Sequence, residues 1–319
     1  MNELISLDSR IGVDISKART YKEVVDLANI NFSLDIKNIK DEDGYEIPDF
    51  FSVRREDTKE TLGIVKSKYR PVPIDSMLEP FHEMVEKYDA TYETAGVIGN
   101  GKKVFVIAKM PHTITVSDRK GDILSNRIVC LIANDGTKRN AYFTIAQRIC
   151  CLNQFSLMAI SASRSNEQVT HVKNWNKLLQ QAQNSFQLSI DMFNEFGITA
   201  RALESQHFGE DQMRSLLNRI FPDPKEKKKR KTARLINRRE KVFDLYQNGT
   251  GNVGSTKWDA FNAVTEYLDH YNNTTRLKSA NEVVSRAAAE RRLSSSLLGG
   301  WDDKIKKETL KFLLHCESM

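Results

Sequence analysis

Five consecutive basic residues, Lys227, Lys228, Lys229, Arg230 and Lys231, are the densest charge in the chain. They belong to a longer segment, Lys225 to Lys241, which holds ten Lys or Arg and two Glu, a net of +8. The 319-residue chain carries +6 in total, so the remainder is slightly acidic at −2. The basic character is therefore a local handle, not the mark of a uniformly cationic coat protein. Phosphate contact suits such a handle, because each neutralised phosphate releases counterions and makes binding salt-sensitive. A solvated charged linker or a localisation signal are the other readings of the run.

Two further basic sets stand elsewhere. Arg54, Arg55, Lys66, Lys68 and Arg70 lie on or beside an expected hairpin, with Tyr69 interleaved as a ring that could stack on a base. Lys102, Lys103, Lys138 and Arg139 sit at two expected turns. Turns at the same end of one sheet would gather them into a basic rim, and Arg148 at the end of a strand completes the candidate set.

Groups able to break bonds are harder to find. Gly96-x-x-x-x-Gly101-Lys102-Lys103 falls one residue short of a phosphate-binding loop, because Lys103 stands where a Ser or Thr would hold magnesium. A β-branched run follows it, whereas such a loop must open a helix. It is read as a hairpin turn, and no nucleotide hydrolysis is expected. Glu266 and His270 stand four apart with Asp269 beside them, a spacing that can hold a metal if a third ligand arrives. A helix-surface ion pair, or a polar contact with the basic segment, is the plainer expectation. Cys130, Cys150, Cys151 and Cys316 lack zinc spacing and read as reduced thiols. There is no Gly-x-Ser-x-Gly elbow. The chain is expected not to be an enzyme and to need no cofactor, metal or small-molecule substrate.

The elements that position these residues follow from pattern. Thr20 caps a helix near Tyr21 to Asn29, with Glu23 closing a capping box. Strands are expected at Phe32–Ile36, Phe51–Arg55 and Leu62–Val65, and a helix at Met77–Tyr88. The centre is a meander of Val104–Ala108, Ile128–Ala133 and Ala141–Ile145. Gly99-Asn100-Gly101 and Asn134-Asp135-Gly136 provide its positive-φ turns. From Val172 to Phe193 apolar residues recur at helical spacing, and Gly197 is expected to end that helix. Helices follow at Asp211–Ile220, Trp258–Tyr271, Ala280–Leu293 and Asp303–Leu314, with a flexible loop at Gly249–Gly254. The fold class is α+β, with a β-rich core at 1–160, a long-helix region at 161–222, a basic linker or helix at 223–254 and a helical region at 255–319. Neither a membrane span nor a signal peptide is expected, which points to the cytoplasm.

Several of these residues carry a resemblance. Leu62-Gly63-Ile64-Val65, Thr94-Ala95-Gly96 with Gly101, Asn134-Asp135-Gly136 and Arg148-Ile149-Cys150-Cys151-Leu152-Asn153 resemble the phage/plasmid-like family catalogued as domain of unknown function 932. So do the stretch Trp258 to His270 and Leu298-Gly299-Gly300 with Lys304 and Lys307. Gln154 departs from the Cys-x-Asn-Thr-Leu expected there. The resemblance implies a phage or plasmid origin and no established activity. Val24-Val25-Asp26-Leu27-Ala28-Asn29 with Asn31-Phe32 is also similar to the N-terminal helix of the Rad-type single-strand annealing proteins. Those proteins, like the Red-beta-type recombinases, follow a β-meander with a long helix and hold DNA in a basic groove as rings or filaments. The expected function is therefore single-stranded DNA binding and annealing by a homo-oligomer in the host cytoplasm. A non-enzymatic protein-interaction or host-interference factor, docking through the long helix, is the alternative.

Overall fold

The computed structural model describes residues 11–117, 121–157, 175–223, 229–272 and 282–316. Two antiparallel sheets form its frame. The larger runs β1 (Gly12–Asp14), β5 (Thr91–Ile98), β6 (Lys103–Ser117), β7 (Asp122–Ala133), β8 (Ala141–Arg148) and β9 (Gln154–Ser156), in that spatial order. The smaller is β2 (Leu34–Lys40), β3 (Glu46–Arg55) and β4 (Thr61–Lys66). All three expected meander runs lie in the large sheet, paired as neighbours. β6 and β7 are longer than their apolar runs suggest, because pairing resumes at Thr113↔Ser125 after an irregularity around Pro111. Proline lacks the N–H a ladder needs, so it sits where the register shifts.

Alternation along the strands decides what each face buries. Val104, Val106, Ala108, Ile128, Cys130 and Ile132 point to one side. There they meet Met77, Phe81 and Met84 of α2 (Ile74–Lys87) and Ala182 and Phe186 of α3 (Trp175–Glu204). Phe105, Ile107, Val129, Leu131, Phe143 and Ile145 point to the other side, against Ala289 and Leu293 of α7 (Glu282–Leu297). Helices therefore cover both faces of the meander.

The short N-terminal helix α1 (Tyr21–Leu27) is capped by Thr20, whose hydroxyl accepts from the Glu23 amide. Glu23 closes onto the Arg19 amide instead of the Thr20 amide, so the expected box is shifted by one residue. The long helix runs past Gly197 to Glu204, correcting its expected end. Gly197 is there for close approach: a Cβ at this position would stand 2.5 Å from Ile114 Cδ1 of β6. Val172, where that helix was expected to begin, lies outside the described residues.

The remaining helices are α4 (Glu210–Ile220), α5 (Lys229–Asn248), α6 (Lys257–Glu266, continuing as a wider turn through Tyr267–Tyr271) and α8 (Trp301–His315). Trp258, Phe261, Val264 and Leu268 are buried as their spacing requires. One apolar cluster joins Phe155, Phe196, Leu216, Leu245, Trp258 and Leu310, one or more from each of the four stretches into which the sequence was divided. Among the described residues no helix is long and apolar enough to cross a membrane.

Candidate nucleic-acid interface

The turns of the large sheet at Gly99–Gly101 and at Asn134–Asn140 emerge from the same end, because Lys103 pairs with Ala133. The Asn134 amide donates to Lys102 O at 2.8 Å and its side chain to Gly101 O at 2.9 Å, tying the two turns together. Asn100 takes φ 58°, the left-handed conformation that Asn tolerates better than most residues. Lys102, Lys138 and Arg139 are exposed there.

The small sheet docks on this same end. Arg55 donates to Asn100 O at 2.8 Å and stacks its guanidinium 4.0 Å from the Phe32 ring centroid. Asn100 in turn donates to Glu60 at 3.1 Å. Tyr69 donates its hydroxyl to Ala133 O at 3.2 Å. Gly63 lies flat on the Asp135 backbone, where no side chain fits, and Val65 covers Gly136. Lys66, Lys68 and Arg70 are exposed beside this junction. Three basic groups distant in sequence thus meet on one edge of the molecule.

Not every candidate is available to a ligand. Lys103 is paired with Asp135 at 2.8 Å, its side chain 14% exposed against 6% for the carboxylate. Burial alone would raise the Asp135 carboxyl, but bonds from Lys103 and Thr137 hold it below its usual range. Arg55 chelates Asp57, and that bond brings the Asp57 carboxyl down to about 2. Arg54 is spent in part on Lys59 O at 2.7 Å. Tyr69 is half-buried, and burial lifts its phenol to about 12, so its ring is part of the junction more than an open stacking surface.

Arg148 is the clearest correction. Its side chain is 1% exposed and faces a fully buried Asp122. Nε and Nη2 each reach an Asp122 oxygen at 2.7 Å. Nη1 donates to Thr250 O and Asn252 Oδ1 at 3.0 Å, and Nη2 to Gly251 O at 3.0 Å. All five guanidinium protons are used, leaving none for a phosphate. Trp258 Nε1 adds a bond to Asp122 Oδ2 at 2.7 Å. The Gly249–Gly254 loop, expected to be flexible, is held by this hub. No sequence pattern marks Asp122 as the partner, since it lies 26 residues away on a neighbouring strand.

Glu266 and Asp269 are buried and His270 is half-buried, so the three do not form a helix-surface group. Asp269 meets Lys306 of α8 at 2.6 Å, Ser296 at 2.7 Å and the Gln154 amide at 2.9 Å, and among the described residues it makes no ion pair with the basic segment. Burial raises the Glu266 carboxyl to about 7 and lowers His270. Among the described residues no group of three His, Cys, Asp or Glu is placed to hold a metal.

In the basic segment, Lys227 and Lys228 lie outside the described residues, and Lys229, Arg230 and Lys231 form the first turn of α5. Its later cations turn to the body: Arg238 stacks 5.2 Å from the centroids of Phe221 and Trp301, and Arg239 pairs with Asp223 at 3.1 Å.

The family described as a domain of unknown function (DUF932) matches residues 61–292. The chain belongs to that family. No curated protein and no solved structure matches it. The DUF932 match opens at the first residue of β4 and ends inside α7, so it contains the whole Arg148–Asp122–Trp258 hub. Arg54, Arg55 and Lys306 lie outside it.

Proposed function

We propose that this DUF932 protein binds single-stranded DNA along the edge where its two sheets meet. It would act as an annealing-type recombination protein of phage or plasmid origin, as a homo-oligomer in the host cytoplasm. The supporting observation is the convergence of Lys66, Lys68, Arg70, Lys102, Lys138 and Arg139, all exposed, on one edge built by the Arg55–Asn100 and Tyr69–Ala133 bonds. Phosphates spaced along a strand would meet these cations in turn, a contact that is tolerant of sequence. The outer face of the small sheet continues the edge: Phe50, 42% exposed, stands opposite Lys66, and Ile64 is 63% exposed on the same face. An aromatic ring beside a cation is suited to a base and its phosphate.

The order of elements also supports the reading, since a meander followed by a long helix is what the resemblance to annealing proteins implied. The alternative, docking of a partner on the long helix, loses its motivation. Of the Val172–Phe193 apolar stripe that suggests it, Ala182, Phe186 and Phe193 are buried against α2, the large sheet and α6.

Titration of a fluorescent single-stranded oligonucleotide across a salt series is the test. Salt-dependent binding is expected, falling steeply as salt rises. Absence of binding at low salt overturns the proposal.

A further inference from the structure

Cys150 and Cys151 are the central residues of the tight connection from β8 to β9. The Arg148 amide closes that turn by donating to Asn153 O at 2.9 Å, and Leu152 takes φ 57° to complete it. The two thiols are unlike. Cys150 is partly exposed, and Cys151 is fully buried beneath it. The Arg148 guanidinium stands 3.9 Å from the Cys151 sulfur, and Cys150 faces Thr250 O at 3.9 Å in the loop that Arg148 holds. The adjacent Cys151 side chain, aided by the Arg148 charge, brings the Cys150 thiol down to about 7, whereas burial pushes Cys151 well up.

This arrangement separates two chemical roles. A reactive thiol needs access to solvent and a neighbour that stabilises its thiolate, and Cys150 has both. A resolving thiol needs to lie within reach and to be protected from direct attack, and Cys151 meets both conditions. We propose that Cys150 is a peroxide-reactive thiol and Cys151 its resolving partner, so that hydroperoxides close a disulfide between adjacent residues. The Cys150 thiolate attacks the terminal hydroperoxide oxygen. The O–O bond breaks, the alkoxide or hydroxide leaves and takes a proton, and Cys150 becomes a sulfenic acid. The Cys151 sulfur then attacks the Cys150 sulfur, gives up its proton and expels water. Two thiols and one hydroperoxide yield one disulfide, one alcohol or water, and one further water.

Adjacent Cα atoms are ~3.8 Å apart, closer than the ~4.4 Å at which ordinary disulfides begin. The product ring is therefore strained and easily reduced, as reversible oxidation products are.

Cys316 serves as an internal control, since it is also partly exposed and no cysteine adjoins it in the sequence. The intact protein is treated at pH 7 with one equivalent of hydrogen peroxide, then digested and mapped by mass spectrometry. Loss of two hydrogens from the peptide containing Cys150 and Cys151 is expected, reversed by mild dithiothreitol. Cys151→Ser, or Cys151→Ala if the first does not fold, should leave a sulfenic acid that a cyclic 1,3-diketone traps on Cys150. Separately, iodoacetamide should modify Cys150 about tenfold faster than Cys316, because the Arg148 guanidinium stands beside the Cys150–Cys151 turn. Equal rates at Cys150 and Cys316, or wild-type oxidation that passes to sulfinic acid with no disulfide, overturns the proposal.

Discussion

Lys306 Nζ stands 2.6 Å from Asp269 Oδ1, and neither side chain is exposed. The ammonium also donates to Ser296 Oγ and Gln154 O, both at 2.6 Å, so all three of its protons are placed. This contact fastens α8 to the last strand of the large sheet. Lys306→Met should destabilise the protein by about 3–5 kcal/mol, because it leaves a buried carboxylate without its partner. Adding Asp269→Leu to that variant should recover a large part of the loss. Urea unfolding of the two variants checks both statements; equal stability of single and double variants would refute the coupling.

Arg148→Lys keeps the charge and loses the fork. One ammonium cannot satisfy Asp122 and the Thr250–Asn252 loop together, so a loss of roughly 2 kcal/mol or more is expected. The salt slope of oligonucleotide binding should not change. A lower slope at full stability would return Arg148 to the phosphate contacts.

Glu266 makes stability depend on pH. Its folded value, raised by burial to about 7, exceeds the ordinary 4.5, so the folded state holds a proton that the unfolded state has released. Its favourable contribution is present below about pH 4.5 and is lost as pH rises toward 7. Arg148 and Lys241 oppose the shift and Asp244 adds to it. Glu266→Gln should remove this dependence, gaining on the order of 2 kcal/mol relative to wild type at pH 8 and little at pH 4.5. Urea midpoints at the two pH values read the difference directly, and parallel pH profiles would exclude the assignment.

Gly63 lets the small sheet lie against the Asp135 backbone. Gly63→Val should cost roughly 1–3 kcal/mol by overpacking and loosen the junction. Amide hydrogen exchange should quicken in β4 and at residues 134–137 while the α6 amides keep their protection.

Changing Lys227, Lys228, Lys229, Arg230 and Lys231 together to Ser tests the basic segment. If they contact phosphates, each lost contact should lower the slope of log K against log salt by ~0.7 on single strands. Binding should weaken similarly for all sequences, with stability nearly unchanged. A sharp loss of stability with an unaltered slope would assign the run to contacts with the body of the protein.

Local chemistry in the sequence was enough for much of the frame. The short β-branched and aromatic runs Val104–Ala108 and Ile128–Ala133, and the turn residues Asn100 and Gly136 between such runs, specified the meander and its hairpins, since both depend on neighbours a few residues away. Spacing likewise marked Trp258, Phe261, Val264 and Leu268 as buried. The basic residues could be counted, but their fate could not. Whether a cation is free or paired depends on a carboxylate brought from elsewhere: Asp122 for Arg148, Asp135 for Lys103, Asp269 for Lys306. Gly197 suggests a helix end because its local conformational freedom is legible in sequence, whereas its contact with Ile114 is not. Long-range pairing of this kind is set by how the sheets and helices pack, so the tertiary structure alone decided which charges became internal fasteners and which stayed exposed on the edge.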